Sequence, residues 1–254
     1  MISREAVWKP APDELRLRPD EVHVWRASLN QPAAMLTAFK QILAADELER
    51  AARFHFQKDR DHFITARALL KLILASYLGR EPEQVRFSFN EYGKPAVADS
   101  ETVRFNLSHS RDLVIYAVAR NRELGLDLEY IRDDFDTAQI AMQFFSRREV
   151  EALGTLPPEL QAEGFFRCWT RKEAYIKARG HGLSLPLDQF DVSLTPNEPA
   201  QLLSVAGDAE ELSCWSLREI APGPGYMAAI AVEGSDWQLN CFQWPDEVSP
   251  EEAM

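Results

Sequence analysis

Four stretches carry side chains whose types and spacing suit chemistry on a phosphorylated substrate. In GLDLEY (125–130), carboxylates alternate with leucines. On a strand, Asp127 and Glu129 share one face while Leu126 and Leu128 take the other, with the two acidic Cα atoms roughly 6.6 Å apart. Such a pair repels itself unless solvent or a cation intervenes, and paired oxygen ligands suit Mg²⁺. In CWTRKEAYIKARGHG (168–182), Trp169, Glu173 and Lys177 follow at i, i+4 and i+8 on one face of a helix. Glu173 is a third carboxylate available to the same ion. In FNLSHS (105–110), His109 lies between two serines at a strand end. Adjacent strand residues point to opposite faces, which disfavours a Ser–His nucleophile–base pair, whereas a histidine flanked by hydroxyls suits a phosphate. In EYGKPA (91–96), glycine and proline bracket Lys94 in a turn, where a lysine can hold a phosphate as a point charge.

Taken singly, each stretch has an ordinary alternative: a polar-faced strand, an i, i+4 Glu–Lys pair worth about 0.2–0.5 kcal/mol, a hydrogen-bonded strand-end histidine, a solvated turn. On the helix, the charges share their face with a tryptophan and run into GHG, where backbone can approach a ligand closely.

The chain that must position these pieces has 254 residues, enough for one large domain or two small ones. A short strand, EVHVWRA, comes first. Apolar spacing then predicts a helix over about 33–54 and another over about 58–78, stopped by Gly79. Strand-like runs follow at 85–89, 103–108, 113–119 and 124–130, with Asn121-Arg122 suiting a hairpin turn between the last two. Helices return in SRREVEAL (146–153), where Ser146 and Glu149 spell a capping box, and from Pro157-Pro158 to Arg179. QFDVSL, ELSCWSLREI, GYMAAIAVE and WQLNCFQW read as β-rich, and PDEVSPEEAM as a solvated acidic tail. QVRFSF (84–89) resembles QFDVSL (189–194), and VIYAVARNREL (114–124) resembles MAAIAVEGSDW (227–237). A degenerate duplication follows, with two α+β halves meeting near Asn121 and a ligand cleft between them.

Net charge is −12, from 28 Lys and Arg against 40 Asp and Glu, which argues against bulk electrostatic binding to nucleic acid or an anionic membrane. The longest apolar stretch, ALLKLILASYLG, is broken by Lys71 and falls short of the roughly 20 residues that span a bilayer. MISREAVWKP lacks a signal peptide's apolar centre. Cys168, Cys214 and Cys241 form no C-x-x-C pair, as suits a reducing cytoplasm.

GKP, FNLSHS, GLDLE, FFSRREV and CWTRKEAYIKARGHGLSLP, in that order, resemble the Sfp-type 4′-phosphopantetheinyl transferases. Their signatures, approximately G-(I/V)-D-(I/V)-E and W-x-x-K-E-(A/S)-x-x-K-x-x-G, correspond to Gly125 to Glu129, with Leu126 and Leu128 at the aliphatic positions, and to Trp169 to Gly180. The resemblance implies an α+β fold of two pseudo-twofold-related α/β halves with the active site in the cleft between them. Residues 1–120 would supply the coenzyme A nucleotide contacts, and 121–254 the metal and catalytic residues. It implies a holo-[acyl-carrier-protein] synthase type activity: transfer of 4′-phosphopantetheine from coenzyme A to a serine of an apo acyl or peptidyl carrier protein of fatty acid, polyketide or nonribosomal peptide synthesis. Adenosine 3′,5′-bisphosphate is released. Asp127, Glu129 and Glu173 would hold Mg²⁺, with Glu173, Lys177 and Asp127 catalytic. Arg50, Lys94, Pro95, Asn106, Ser108 and His109 would bind the nucleotide end. Glu149 matches a family acidic residue near the metal, and its capping box explains it equally well. His62 stands where relatives often carry arginine. Trp169 is expected to pack the helix into the core, and FFSRREV, with Arg147 and Arg148, to dock the carrier. A cytoplasmic monomer is expected, because duplication supplies the cleft internally. Two rivals are an Mg²⁺-dependent hydrolase of pyrophosphates or nucleotides and a non-catalytic coenzyme A-binding module.

Overall fold

Residues 114–119 are buried without interruption, as in a strand covered on both faces, and the layers are built around that strand. The computed structural model describes residues 7–12, 14–182, 185–206, 208 and 210–245. Apart from Pro245, the acidic tail lies outside them. The elements run β1 (Trp8–Pro10), β2 (Glu21–Ser28), α1 (Ala33–Ile42), α2 (Ala45–Ala52), α3 (Gln57–Leu78), β3 (Phe87–Phe89), β4 (Pro95–Val97), β5 (Val103–Ser110), β6 (Leu113–Arg120), β7 (Leu124–Tyr130), α4 (Thr137–Phe144), α5 (Arg147–Thr155) and α6 (Pro158–Arg179). They continue with β8 (Phe190–Val192), β9 (Leu202–Val205), α7 (Glu211–Cys214), β10 (Trp215–Ile220), β11 (Tyr226–Glu233) and β12 (Gln238–Gln243).

A five-stranded sheet has the order β1-β12-β2-β6-β5, parallel on both sides of β12 and antiparallel elsewhere. An antiparallel three-stranded sheet has the order β10-β11-β7. Val114, Tyr116 and Val118 pack with Phe39 of α1 and with Leu69 and Ile73 of α3. Ile115, Ala117 and Ala119 join a second core with Leu124, Leu126 and Leu128 of β7 and Ile230 of β11. On the other face of the smaller sheet, Ala229 and Ala231 pack with Ala174 and Ala178 of α6. The layers are helices, sheet, sheet and helix, an α+β arrangement.

The element order repeats. A strand, two short helices, a 22-residue helix, a small hairpin and two longer strands run from β2 to β6 and again from β7 to β11, with α7 added the second time. The paired segments read from the sequence fall on β3 and β8, and on β6 and β11. One further correspondence has no visible similarity around it. Lys71 and Lys172, both fully buried at the fifteenth position of their long helices, pair with Glu47 and Glu149 at 3.1 and 2.8 Å. Each glutamate also caps a short helix, accepting from Ala44 N or Ser146 N.

Three local expectations change. The helix over 33–54 is two helices, because Leu43 and Ala44 are extended and Glu47 caps a fresh start. Asn121-Arg122 is not a hairpin turn, because β6 and β7 belong to different sheets; Asn121, at φ 56°, begins the crossing between them. The hairpin here is β5–β6, turning at Arg111-Asp112. Helix α4 is not anticipated by apolar spacing and starts where the Asp136 side chain accepts from Gln139 N. Gly79 does end α3 in the left-handed conformation, and both bonds of the Ser146–Glu149 box form. Among the described residues, no helix is long and apolar enough to cross a membrane.

Candidate active site

Strand β7 and helix α6 approach more closely than side chains allow. A Cβ on Gly125 would lie 2.1 Å from both Ala174 O and Ala178 N, so only glycine lets the two backbones meet. Two residues along the same face, Asp127 then comes within reach of the helix. Its Oδ1 accepts from Lys177 Nζ at 2.6 Å and from Ser108 Oγ at 3.0 Å. Its Oδ2 is buried with no hydrogen-bond partner. Strands β5 and β7 share no main-chain ladder, and side chains stitch them instead. Asn106 Oδ1 accepts from Leu126 N at 2.9 Å, and Ser110 Oγ donates to Glu129 Oε2 at 3.1 Å while accepting from Tyr130 N.

Ser108, His109, Asp127, Glu129, Phe144, Trp169, Glu173, Lys177 and Asp188 are among the residues that line a cavity of about 860 Å³. Burial raises the carboxyl pKa of Glu129 and of Glu173, and the Asp127 charge adds to it, while Lys177 opposes. Carboxylates that hinder one another's ionisation, beside a buried oxygen without a partner, fit a divalent cation with oxygen ligands. Among the described residues, no three acidic, histidine or cysteine side chains are gathered closely enough to hold a metal as they stand. The positive charge in contact with Asp127 is the Lys177 ammonium, so the other two carboxylates would have to close in around an ion.

A second cavity, of about 920 Å³, shares Leu107 and His109 with the first. Arg50, Lys58, His62, Arg67 and Arg111 line it, against the two acids Asp59 and Asp112. Lys58 pairs with Asp112 at 2.8 Å, and His62 Nε2 bonds Asn30 Oδ1 at 3.1 Å. Surplus cations beside Phe54, Phe63 and Phe89 suit a phosphorylated, aromatic ligand. Solvent reaches His109 through the cavities, yet its protein surroundings hold its pKa below the ordinary value, by desolvation first and then by the charges of Lys177 and His62. An arriving anion reverses that balance.

The first cavity draws its wall from both parts of the chain that match known sequences, and the second from the N-terminal part alone. Residues 123–231 match the 4′-phosphopantetheinyl transferase superfamily, and residues 23–121 match the family described as 4′-phosphopantetheinyl transferase, N-terminal. The chain is 44% identical over 240 residues to the 4′-phosphopantetheinyl transferase HetI of Nostoc sp., covering 93% of this chain and 98% of HetI. It belongs to the 4′-phosphopantetheinyl transferase family. Similarity extends to the transferase Sfp of Bacillus subtilis, 30% identical over 199 residues (78% of this chain, 86% of Sfp). A putative 4′-phosphopantetheinyl transferase of Synechocystis sp. is 29% identical over 239 residues (87% and 95%). Enzymes of this family transfer the phosphopantetheine arm of coenzyme A to carrier proteins.

Within this phosphopantetheinyl transferase, Ser108, His109, Asp127, Glu129, Glu173 and Lys177 come together at the first cavity. Arg50 and Pro95 line the second. Lys94 and Asn106 line neither. Asn106 is committed to Leu126 N, and Lys94 Nζ donates to Glu123 Oε2 at 2.7 Å and to Ala178 O at 2.9 Å. Glu149 also stands apart. Its buried carboxylate is divided among Ser146 N, Val192 N and Lys172. Its counterpart pair, Glu47–Lys71, lines neither cavity either, so helix capping and a buried ion pair account for Glu149. Trp169 is only half-buried. It stacks on Phe165 at 5.8 Å between ring centres and also walls the first cavity.

Lys58, Arg67 and Arg111 are cavity residues that motif reading passes over. Lys58–His62 and Phe63–Arg67 repeat the i, i+4 step along α3, a signal that could have found the first two. Arg111 has no such signal. It is presented by a turn at φ 52° and lies 3.4 Å over the Tyr130 ring.

Proposed function

We propose that the chain transfers 4′-phosphopantetheine from coenzyme A to a serine of an apo acyl or peptidyl carrier protein in holo-[acyl-carrier-protein] synthase fashion, with Mg²⁺, releasing adenosine 3′,5′-bisphosphate. The observation that carries this reading is the buried, unpartnered Asp127 Oδ2 beside Glu129, Glu173 and Lys177, in a cavity that shares His109 with a cation-lined neighbour. Asp127, Glu129 and Glu173 are the residues to hold Mg²⁺, which when bound neutralises charge on the pyrophosphate and stabilises the leaving group.

The chain's own groups do the rest. Arg50, His109 and the backbone of the Gly93–Pro95 turn meet the nucleotide end in the second cavity. The carrier serine oxygen bonds to the phosphorus next to pantetheine, the bridging P–O bond breaks, and the bisphosphate departs. A serine hydroxyl needs a base, and Glu173, or a water held by Glu129, is at hand in the cavity to take its proton. Lys177, on Asp127 and Ser108, is placed to neutralise charge that develops on the transferring phosphate. Residues 1–120 thus serve the nucleotide and 121–254 the metal and the reaction. That division is one of duty, since Ser108 lines the catalytic cavity and β12 completes the larger sheet.

The carrier docks at FFSRREV, where Met142 and Phe144 are exposed just before Arg147 and Arg148. The enzyme works as a cytoplasmic monomer. Intact-protein mass spectrometry tests the reading on apo carriers incubated with coenzyme A, Mg²⁺ and this chain. The expected result is a gain of one phosphopantetheine, with Glu173→Ala slowing loading about 100-fold or more. Cleavage of coenzyme A without carrier loading would replace the transferase reading with a hydrolase.

A further inference from the structure

Pieces of separate motifs meet at the C-terminal end of α6. Asn90 Oδ1 accepts from Tyr92 N and Lys94 N, closing the GKP turn, while its Nδ2 donates to Gly180 O at 2.8 Å. Lys94 Nζ donates to Ala178 O at 2.9 Å and to Glu123 Oε2 at 2.7 Å, and Arg104 holds the other Glu123 oxygen at 2.7 Å. The Ala178 and Gly180 carbonyls are among those that a helix end leaves unpaired, at the negative pole of its dipole. A Cβ on Gly180 would lie 3.0 Å from Lys94 Cδ, so turn and helix end are in tight contact. Ala178 follows Lys177 directly, and Glu123 enters β7 four residues before Asp127. One ammonium therefore ties the helix carrying Lys177 to the strand carrying Asp127. Its neighbours Gly93 and Pro95 line the second cavity.

We propose that Lys94 is a positioning residue which, with Asn90 and Glu123, clamps the end of α6 to β7 and sets the Lys177–Asp127 contact, rather than a ligand of a coenzyme A phosphate. The inference rests on the transferase reading. Burial pushes the Glu123 carboxyl pKa up, yet Lys94 and Arg104 outweigh it and hold it below the ordinary range, as expected of a formed cluster.

The test compares steady-state transfer by the unaltered chain, Lys94→Met, Glu123→Gln and the double variant, using coenzyme A and dephospho-coenzyme A as donors. The clamp predicts a fall in kcat of about 10- to 100-fold in Lys94→Met. KM for coenzyme A stays within about threefold, and the preference for coenzyme A over its dephospho form is kept. The double variant falls no further than the worse single one, because both remove one contact. A rise of about tenfold or more in KM with loss of that preference would make Lys94 a 3′-phosphate ligand and overturn the proposal. An unchanged kcat overturns it too. Should Lys94→Met not fold, Asn90→Ala and Glu123→Gln must each show the same loss confined to kcat, and normal turnover in both defeats the clamp. If the unaltered chain loads no carrier, the transferase reading fails, and the clamp's catalytic meaning fails with it.

Discussion

Replacing Gly125 with alanine adds a single carbon where the molecule has least room for one. That Cβ would sit 2.1 Å from Ala174 O and Ala178 N and 2.7 Å from Lys177 C, whereas real Cβ contacts essentially never fall below 3.0 Å. All three neighbours are backbone atoms, so no side chain can rotate out of the way. Strand and helix must part by at least about 0.9 Å, the difference between 3.0 and 2.1 Å. Carried through to the site, that opening stretches the 2.6 Å Lys177–Asp127 contact to about 3.5 Å, outside good hydrogen-bond geometry. A displacement near 1 Å at reacting groups costs about 100-fold in rate, and overpacking costs about 1–3 kcal/mol of stability. Carrier loading at saturating coenzyme A measures the first, and the urea midpoint measures the second. Gly154→Ala is the control. It makes the same change inside α5, with nothing within 4 Å of the added carbon, and should stabilise the helix by about 0.5–1 kcal/mol without altering turnover. A Gly125→Ala protein with normal kcat and an unchanged midpoint would refute the argument that glycine sets the strand–helix distance.

Glu149→Gln leaves the Lys172 ammonium buried without its counter-ion and is expected to cost about 3–5 kcal/mol in urea unfolding; normal stability with lost activity would instead return Glu149 to the metal site. Reversing both Arg147 and Arg148 to glutamate, on an exposed stretch, should raise KM for the carrier about tenfold and spare coenzyme A; unchanged carrier affinity removes the docking surface. Glu173→Gln should gain stability relative to the unaltered chain as pH rises, in buffer with a chelator. The Glu173 pKa is raised in the fold, by burial and then by Asp127, so the unfolded chain ionises first. The unaltered protein therefore loses stability from the ordinary glutamate range up through the raised value, and stays lower above it. Melting curves at pH 4 and pH 8 that differ equally between the two proteins would contradict this.

The residues gathered around the first cavity were legible because short-range periodicity controls them. Alternation puts Asp127 and Glu129 on one face of β7, and i, i+4 spacing puts Glu173 above Lys177 on α6. The long helices were legible at their ends, where Gly79 and Gly180 turn left-handed. What stayed hidden depends on partners far along the chain. A turn lysine reads as a free cation until its Nζ is seen on Ala178 O, 84 residues away. Nothing local to Asn106 says that its amide oxygen accepts from Leu126 N, 20 residues on. Two polar residues between strands suggest a hairpin, and nothing local says that β7 belongs to the other sheet. The Glu47–Lys71 and Glu149–Lys172 pairs escaped because their repetition conserves a contact and almost no surrounding sequence.

The place of β12 has a consequence for how the chain reaches its fold. Trp8 of β1 and Val24 of β2 both pair with Cys241, one on each side of the same strand. Among the described residues, β1 has no other strand partner. While the chain is being made, β5 and β6 can form their hairpin from contacts close in sequence and then collapse with α3 and β2, which are already made. The edge of β2 beside Val22 and Val24 stays open until β12 emerges, and an open strand edge invites pairing with other chains. Pairing β12 with β2 closes the long loop between Val24 and Cys241, whose entropic cost grows only with the logarithm of its length. Two halves that repeat one plan are thereby bound into a single kinetic unit, completed from its final strand backwards.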